Sequence, residues 1–324
     1  MIAPSALAAA VARAAERLRG RVVVTPTVAA PWLSQRVGSE VRLKLENVQE
    51  TGSFKLRGAT HALLAMSPAR RAAGVVAASS GNHGLGLAAA AAKLQVRVTV
   101  FVPTTTPTPK REAIEAYGAE VLVHGCDCVL TEGHAWAVAA ASGRAYVSPY
   151  NDLDVIAGQG TVAAELWAQW PEVATIYVAL GGGGLISGMA AWAKSVRPDI
   201  EVVACSPLAS PAMAECVRAG RILDVPCGDT LSDSTAGGVE TDAVTFALCR
   251  DLVDRYVEVE EAAIANAVLD MLAHQHQLVE GAAGVAIAGC LADRQRRPGG
   301  AAIVVCGGNL PMATLRSLLA TRPC

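Results

Sequence analysis

The chain has 324 residues, 52% of them hydrophobic, enough to bury a large core and to suggest two packed lobes before one. Charged side chains make up only 17% and the formal net charge is −2, which leaves no electrostatic footprint for nucleic acid or an acidic membrane surface. Its nine cysteines, at 126, 128, 205, 216, 227, 249, 290, 306 and 324, lack the paired CxxC spacing of a zinc site and fit a reducing cytoplasm.

In chain order, "SALAAAVARAAERLRG" sets Leu7, Val11, Ala14 and Leu18 at helical spacing among Arg13, Glu16 and Arg17. This predicts an amphipathic surface helix capped by Ser5, not a signal sequence. Next, "ENVQETGSFKLRGA" puts Lys55 at the start of a helix, the end where the macrodipole disfavours a cation. From there β-branched runs alternate with Ala-rich segments of helical length: "GVVAAS", "VRVTVFVP", "AEVLVHG", "TIYVAL", "EVVACSP" and "AAIVVCGG" are each followed by a helix. That rhythm predicts an α/β fold with parallel sheets covered by helices. The apolar run "GLGLAAAAA", closed by Lys93, is too short to span a bilayer, so no membrane segment is expected. A loop with Pro149 and Asn151 marks a change of lobe, giving a large domain from 1–70 and 149–324 and a small one from 71–148.

The clearest chemical feature is "TIYVALGGGGLISGMAAWAKS", a strand, four glycines from Gly181 to Gly184, and a helix starting near Leu185. A tight turn needs one or two glycines; four leave several backbone N–H groups free to converge on a phosphate at a helix N-terminus. A dinucleotide fingerprint is absent, because Ile186 or Ser187 stands where its third glycine belongs. A P-loop is absent too, because Met189 follows Gly188. A compact cofactor with a single phosphate fits, and Lys55 then has a use as the amine that forms an imine with its aldehyde. Two more turns at strand ends supply parts: "ASSGNHGLGLA", with Ser79, Ser80, Asn82 and His83 as donors for a carboxylate, and Cys306-Gly307-Gly308-Asn309.

With these pieces the sequence resembles the fold-type II pyridoxal-phosphate enzymes, in particular the serine/threonine dehydratase and serine racemase group. Seven motifs carry the resemblance in order: "TGSFKLRGA", "SSGNHGLGLA", "VIAGQGTVAAE", "GGGGLISGMA", "TLSDSTAGGVE", "LVEGAAGVAIA" and "VVCGGN". The resemblance implies the two-lobed tryptophan synthase β-like architecture, pyridoxal 5'-phosphate as cofactor, and a homodimer. It also implies that Lys55 forms the imine with the cofactor, that Phe54 packs on the pyridine ring and that Asn82 bonds its phenolic oxygen. The backbone from Gly181 to Leu185 would hold the phosphate, and Ser79, Ser80, Asn82 and His83 would receive the substrate carboxylate. Glu280 would lie near the cofactor, and Cys306 would stand beside the ring nitrogen.

A neutral thiol at Cys306 would leave that nitrogen largely unprotonated, a weaker electron sink that favours elimination over transamination. The implied reaction is the dehydration and deamination of an L-β-hydroxy amino acid, of the serine, threonine or threo-phenylserine type. Lys55 would be the base at Cα and the cofactor phosphate the acid at the leaving hydroxyl, with a 2-oxo acid and ammonia as products. The alternative is an amino-acid racemase with elimination as a side activity, Ser80 protonating Cα from the opposite face. A non-catalytic phosphate-binding protein is a third reading, against which Lys55 counts. The family's divalent-cation carboxylates are replaced by Ser206, Ser210 and Ala212, so no metal is expected, with Glu215 and Asp224 the nearest acidic residues in sequence. The chain ends soon after "VVCGGNL", so the regulatory domain of biosynthetic threonine deaminases, and feedback by isoleucine, are not expected. Cys126 and Cys128 are read as ordinary thiols, His274 and His276 as lying on different faces of one helix, and Trp136, Trp167, Trp170 and Trp192 as core or interface packing.

Overall fold

The computed structural model describes residues 2–321, so Cys324 lies outside the described residues. Ten strands run in chain order: β1 (Thr27–Ala29), β2 (Val41–Leu45), β3 (Val75–Ala78), β4 (Val98–Val102), β5 (Glu120–Val123), β6 (Ala145–Tyr146), β7 (Val173–Ala179), β8 (Glu201–Pro207), β9 (Arg255–Val259) and β10 (Gly300–Val305). They form a six-stranded sheet, ordered β1-β2-β10-β7-β8-β9, and a four-stranded sheet, ordered β5-β4-β3-β6. Every pairing is parallel except β1 with β2. The six strands expected from β-branched runs are all present, and β1, β2, β6 and β9 join them.

Parallel strands need covered faces. Helix Gly281–Ala292 lies across β7 to β10, while helices Pro4–Leu18, Leu153–Gln169 and Gly184–Val196 pack on one another. The predicted apolar face of the first helix, Leu7, Val11, Ala14 and Leu18, is buried in the larger core. Its start differs from expectation: Ala3 takes the cap position without a side-chain bond and Pro4 opens the helix, because a proline at the first helical position gives up only an N–H that has no partner there. In helix Lys55–Ala65, Leu56, Ala59, Ala62 and Leu63 join the core of the four-stranded sheet. The same helix packs as extensively on helix Leu153–Gln169 as on helix Asn82–Leu94, so it lies between the two units.

One smaller expectation is corrected. His274 lies on helix Glu261–Gln275, but His276 follows it in the left-handed conformation at φ 55°, so the two do not share a helix. Trp170 is buried in the core, whereas Trp136 is 47% exposed and stacks on Tyr146 at the surface.

Behind Lys55 sits a set of charges that nothing in the hydrophobic pattern announces. Arg57 and Glu46 are fully buried, and the guanidinium binds the two Glu46 oxygens at 2.7 and 2.8 Å. It also grips Glu165 at 2.6 and 2.8 Å, and Lys44, buried in β2, adds 2.7 Å to Glu165 and 2.6 Å to the Thr25 carbonyl. Two cations and two carboxylates cancel, each with hydrogen bonds to spare, which is the condition for such charges to remain inside. The Glu46–Arg57 pair closes residues 46 to 57 into a loop and anchors the first turn of the helix that Lys55 opens. Removing one partner strands the others: Arg57→Met should cost about 3–5 kcal/mol, read as a lowered urea midpoint, and an unchanged midpoint would contradict this account of the loop.

Candidate active site

In the larger sheet the strand order reverses between β7 and β10, and in the smaller between β3 and β6. Such switch points leave a crevice at the carboxyl ends of the strands. Here the two crevices meet in one cavity of about 190 Å³, lined by Phe54 and Lys55, Asn82, Pro149 and Tyr150, Ala179, Gly181 to Leu185, Ser234 to Gly238, Ala282 and Cys306.

The segment carrying Lys55 is pressed onto the turn after β10. Ser53 bridges Gly307 in antiparallel register, Phe54 N–H donates to the Cys306 carbonyl at 3.1 Å, and Gly308 N–H donates to Gly52 at 2.9 Å. This turns Lys55, the first residue of its helix, inward: its Nζ donates to the Pro149 carbonyl at 2.8 Å and lies 5.2 Å from the Phe54 ring centroid. Burial lowers the amine to about 8 from 10.5, outweighing the upward pull of Cys306 and Glu280. A lysine on the wrong end of a helix dipole is thus a desolvated amine with no carboxylate bonded to it, not a solvated surface charge. Burial first, and Glu280 next, push the Cys306 thiol well above its usual range, so it stays un-ionised at neutral pH.

The four glycines are required by their neighbours. A Cβ on Gly181 would come within 2.9 Å of Thr235 Cα, on Gly183 within 2.7 Å of Cys249 Sγ, on Gly184 within 3.0 Å of Tyr150 Cα, and on Gly182 it would run into the Tyr150 ring. Gly183 adopts φ +85° and caps helix Gly184–Val196 without a side chain. The first N–H groups of that helix have no acceptor within it. Thr245 Oγ1 donates to the Gly182 carbonyl at 2.7 Å, and because C=O and N–H oppose each other across a trans peptide, the Gly183 N–H points the other way. Backbone donors at a helix N-terminus with no side chain among them make an anion cradle.

Asn82 opens helix Asn82–Leu94, and its amide Nδ2 donates to both Glu280 oxygens at 2.8 and 2.9 Å, while Oδ1 accepts from Asn309 at 2.7 Å. Ser234 Oγ at 3.1 Å and Asn309 N–H at 3.2 Å also donate to Glu280. Burial raises the Glu280 carboxyl, and these donors oppose the rise. Glu280 therefore reaches the cavity through Asn82 and Ser234. Ser79 Oγ accepts from Gly81 N–H at 3.3 Å, while among the described residues no group hydrogen-bonds the Ser80 hydroxyl. His83 is the residue whose ring the structure turns away: Nε2 bonds the Val147 carbonyl at 2.8 Å, and burial, with Lys55 second, drops its pKa to about 3. A neutral ring donating through Nε2 has only an acceptor left at Nδ1, so only the His83 backbone could serve a carboxylate.

Among the described residues no cluster of three or more His, Cys, Asp or Glu forms a metal site. Ser206 Oγ donates to the Leu180 carbonyl, Ser210 Oγ accepts from Gly237 N–H, and Glu215 pairs with Arg218 at 2.6 Å. Tyr150 and Thr245 carry no motif that marks them; Ser234 and Asn309 lie within the quoted stretches "TLSDSTAGGVE" and "VVCGGN", which give them no role by themselves.

A family model described as pyridoxal-phosphate dependent enzyme matches residues 6–307. The L-threonine ammonia-lyase of Geobacter sulfurreducens is 38% identical over 304 residues, 93% of this chain and 75% of that protein. The catabolic L-threonine dehydratase of Escherichia coli is 33% identical over 312 residues, 94% and 93% of the two chains. The solved structure of maize serine racemase superposes with a TM-score of 0.90 at 31% identity, covering 96% of each chain.

The residues fit the cofactor such enzymes use: a side-chain-free cradle for its phosphate, a buried amine for its aldehyde, and an un-ionised thiol on the same cavity. Thr245→Val should raise the Kd for pyridoxal phosphate by about five- to tenfold, and Thr245→Ser should restore it; no change in Kd would remove Thr245 from the cradle. An amine must be neutral to attack an aldehyde. The rate of cofactor uptake by the apoprotein should therefore fall about tenfold per pH unit below about 8 and level off above it. A rate still climbing towards 10.5 would return Lys55 to the ordinary lysine value.

Proposed function

The chain belongs to the pyridoxal-phosphate-dependent enzyme family, and on that premise we propose that it is an ammonia-lyase. It eliminates water from an L-β-hydroxy amino acid of the serine, threonine or threo-phenylserine type and releases a 2-oxo acid and ammonia. One observation carries this: Lys55 and Cys306 line a single cavity, the amine lowered to about 8 and the thiol kept neutral. The cofactor supplies an aldehyde that captures amines and a ring that draws electrons from Cα.

The protein's part is binding and proton management. The Gly181–Leu185 backbone and Phe54 hold the cofactor, with Asn82 set by Glu280 and Asn309. Lys55 Nζ, once released, is a base poised near neutral pH for the Cα proton. Cys306 brings no negative charge to the cavity, which leaves the electron sink shallow and favours expulsion of a β-hydroxyl over a persistent carbanion. Ser79, with the N-terminus of helix Asn82–Leu94, receives the substrate carboxylate.

Racemisation is the second activity in this reading, with Ser80, on the turn before helix Asn82–Leu94, as the proton donor on the face opposite Lys55. All eight described cysteines are free, which supports a reducing cytoplasm, and among the described residues no helix is long and apolar enough to cross a membrane. A homodimer belongs to the same reading.

The decisive assay follows 2-oxo acid and ammonia from L-serine, L-threonine and L-threo-phenylserine. Lys55→Ala should abolish both products with all three substrates, and residual turnover at a tenth of wild type would assign the base elsewhere. Ser80→Ala should remove D-amino acid formation while elimination persists; unchanged D-amino acid formation would discard the racemase role.

A further inference from the structure

The smaller sheet ends on one side at an open edge. β5 pairs only with β4, and three of its four residues, Glu120, Leu122 and Val123, are exposed, the last two at 40 and 46%. The His124 N–H donates to the Val102 carbonyl at 2.9 Å, so by the alternation of a ladder Leu122 and Glu120 also bond towards β4. Val121 and Val123 then turn their N–H and C=O groups outward, and among the described residues no group bonds them.

Folded proteins protect such edges with charges or cover. β9, which ends the larger sheet, has Arg255 bound to Glu201 and Asp293, and Glu258 paired with Arg218. Around β5 that protection is missing. No Lys or Arg occurs between Arg111 and Arg144, and Val129 and Leu130, in the first turn of helix Cys128–Ser142, are 80 and 54% exposed. Only the two ends of the edge are polar, and they differ. Glu120 accepts from Thr99 Oγ1 at 2.7 Å through one carboxylate oxygen, while the His124 ring is held by stacking on His134, 3.6 Å between centroids and 9° between planes.

A two-fold axis through Leu122 makes this edge complementary to itself. Set antiparallel to a second copy, Val121 meets the partner's Val123 as a pair that exchanges two backbone hydrogen bonds, and Val123 meets the partner's Val121 in the same way. Leu122 then lies against the partner's Leu122, and the carboxylate of Glu120 faces the imidazole of the partner's His124, so no like charges are opposed. Any other strand would have to supply the apolar centre and both matching ends; a second copy has them by symmetry. We propose that two copies of this chain join edge to edge through β5, so that their four-stranded sheets run on as one. The contact concerns assembly and goes beyond the elimination reading, on which it does not depend.

The test is the mass of the holoenzyme in solution, by sedimentation velocity over a range of concentrations, for wild type, Leu122→Lys and Val123→Pro. Leu122→Lys sets like charges against each other across the axis, and Val123→Pro removes an outward N–H that the single chain does not use. Each variant should have half the mass of wild type with its circular dichroism unchanged, and if one fails to fold the other reads the same mass. Equal masses at every concentration overturn the proposal. The register is read with Leu122→Cys in a background of Cys126→Ser, Cys128→Ser, Cys227→Ser and Cys324→Ser. Residues opposed at a non-hydrogen-bonded pair lie about 4.5 Å apart at Cα, within reach of a disulfide, so oxidation should link the chains in pairs. No link, or one formed as readily by Glu120→Cys in the same background, overturns the two-fold pairing and the proposal with it. A foreign protein bound by wild type and lost from both variants would give the edge to another partner and also overturn it.

Discussion

The antiparallel contact between residues 52–54 and 306–308 is the constraint on which the site depends. It is short, two backbone hydrogen bonds that make the Ser53–Gly307 bridge, yet it fixes where the helix of Lys55 begins and therefore where the amine goes. Room for it comes from Gly307, whose added Cβ would collide with the Glu280 carboxyl at 2.7 Å. The same carboxylate orders Asn82, so a single turn aligns the lysine with the residues from the smaller sheet. The buried Glu46–Arg57 pair holds the other end of the loop, and the two clasps together leave the Lys55 side chain few alternatives to the cavity.

Two buried lysines show how environment divides roles between like residues. Lys44 is fully buried, but the Glu165 carboxylate at 2.7 Å matches its charge and makes it part of the scaffold. Lys55 is offered only a carbonyl, so its charged form is penalised and its neutral, nucleophilic form is brought within reach of physiological pH. The neutrality of Cys306 is produced by the same dry surroundings. A cavity that lowers the amine also keeps the thiol un-ionised, and the proposed elimination rests on both.

Much of this was legible in the sequence because it is written locally. Runs of Val, Ile and Ala gave six strands, and Lys55, the glycine run and Cys306 stood out because each breaks the expectation for its place. The remainder depends on distance. β2 was obscured by Arg42 and by Lys44, whose charge is met only by the remote Glu165; β9, "RYVEV", alternates too weakly, and β6 has two residues. Tyr150, Thr245 and Asn309 act across separations such as the 227 residues between Asn82 and Asn309, which no local pattern encodes. His83 shows the limit in the other direction, since its place in a motif does not say which way its ring points.

The central claim is that Lys55, and not another buried amine, joins the cofactor. The most direct measurement is borohydride reduction of the purified holoenzyme followed by peptide mass mapping. The account predicts one pyridoxyl adduct, on the peptide containing Lys55, with Lys44 unmodified. An adduct on Lys44 or on any other lysine, or none on a protein that shows the cofactor's absorbance, would contradict it.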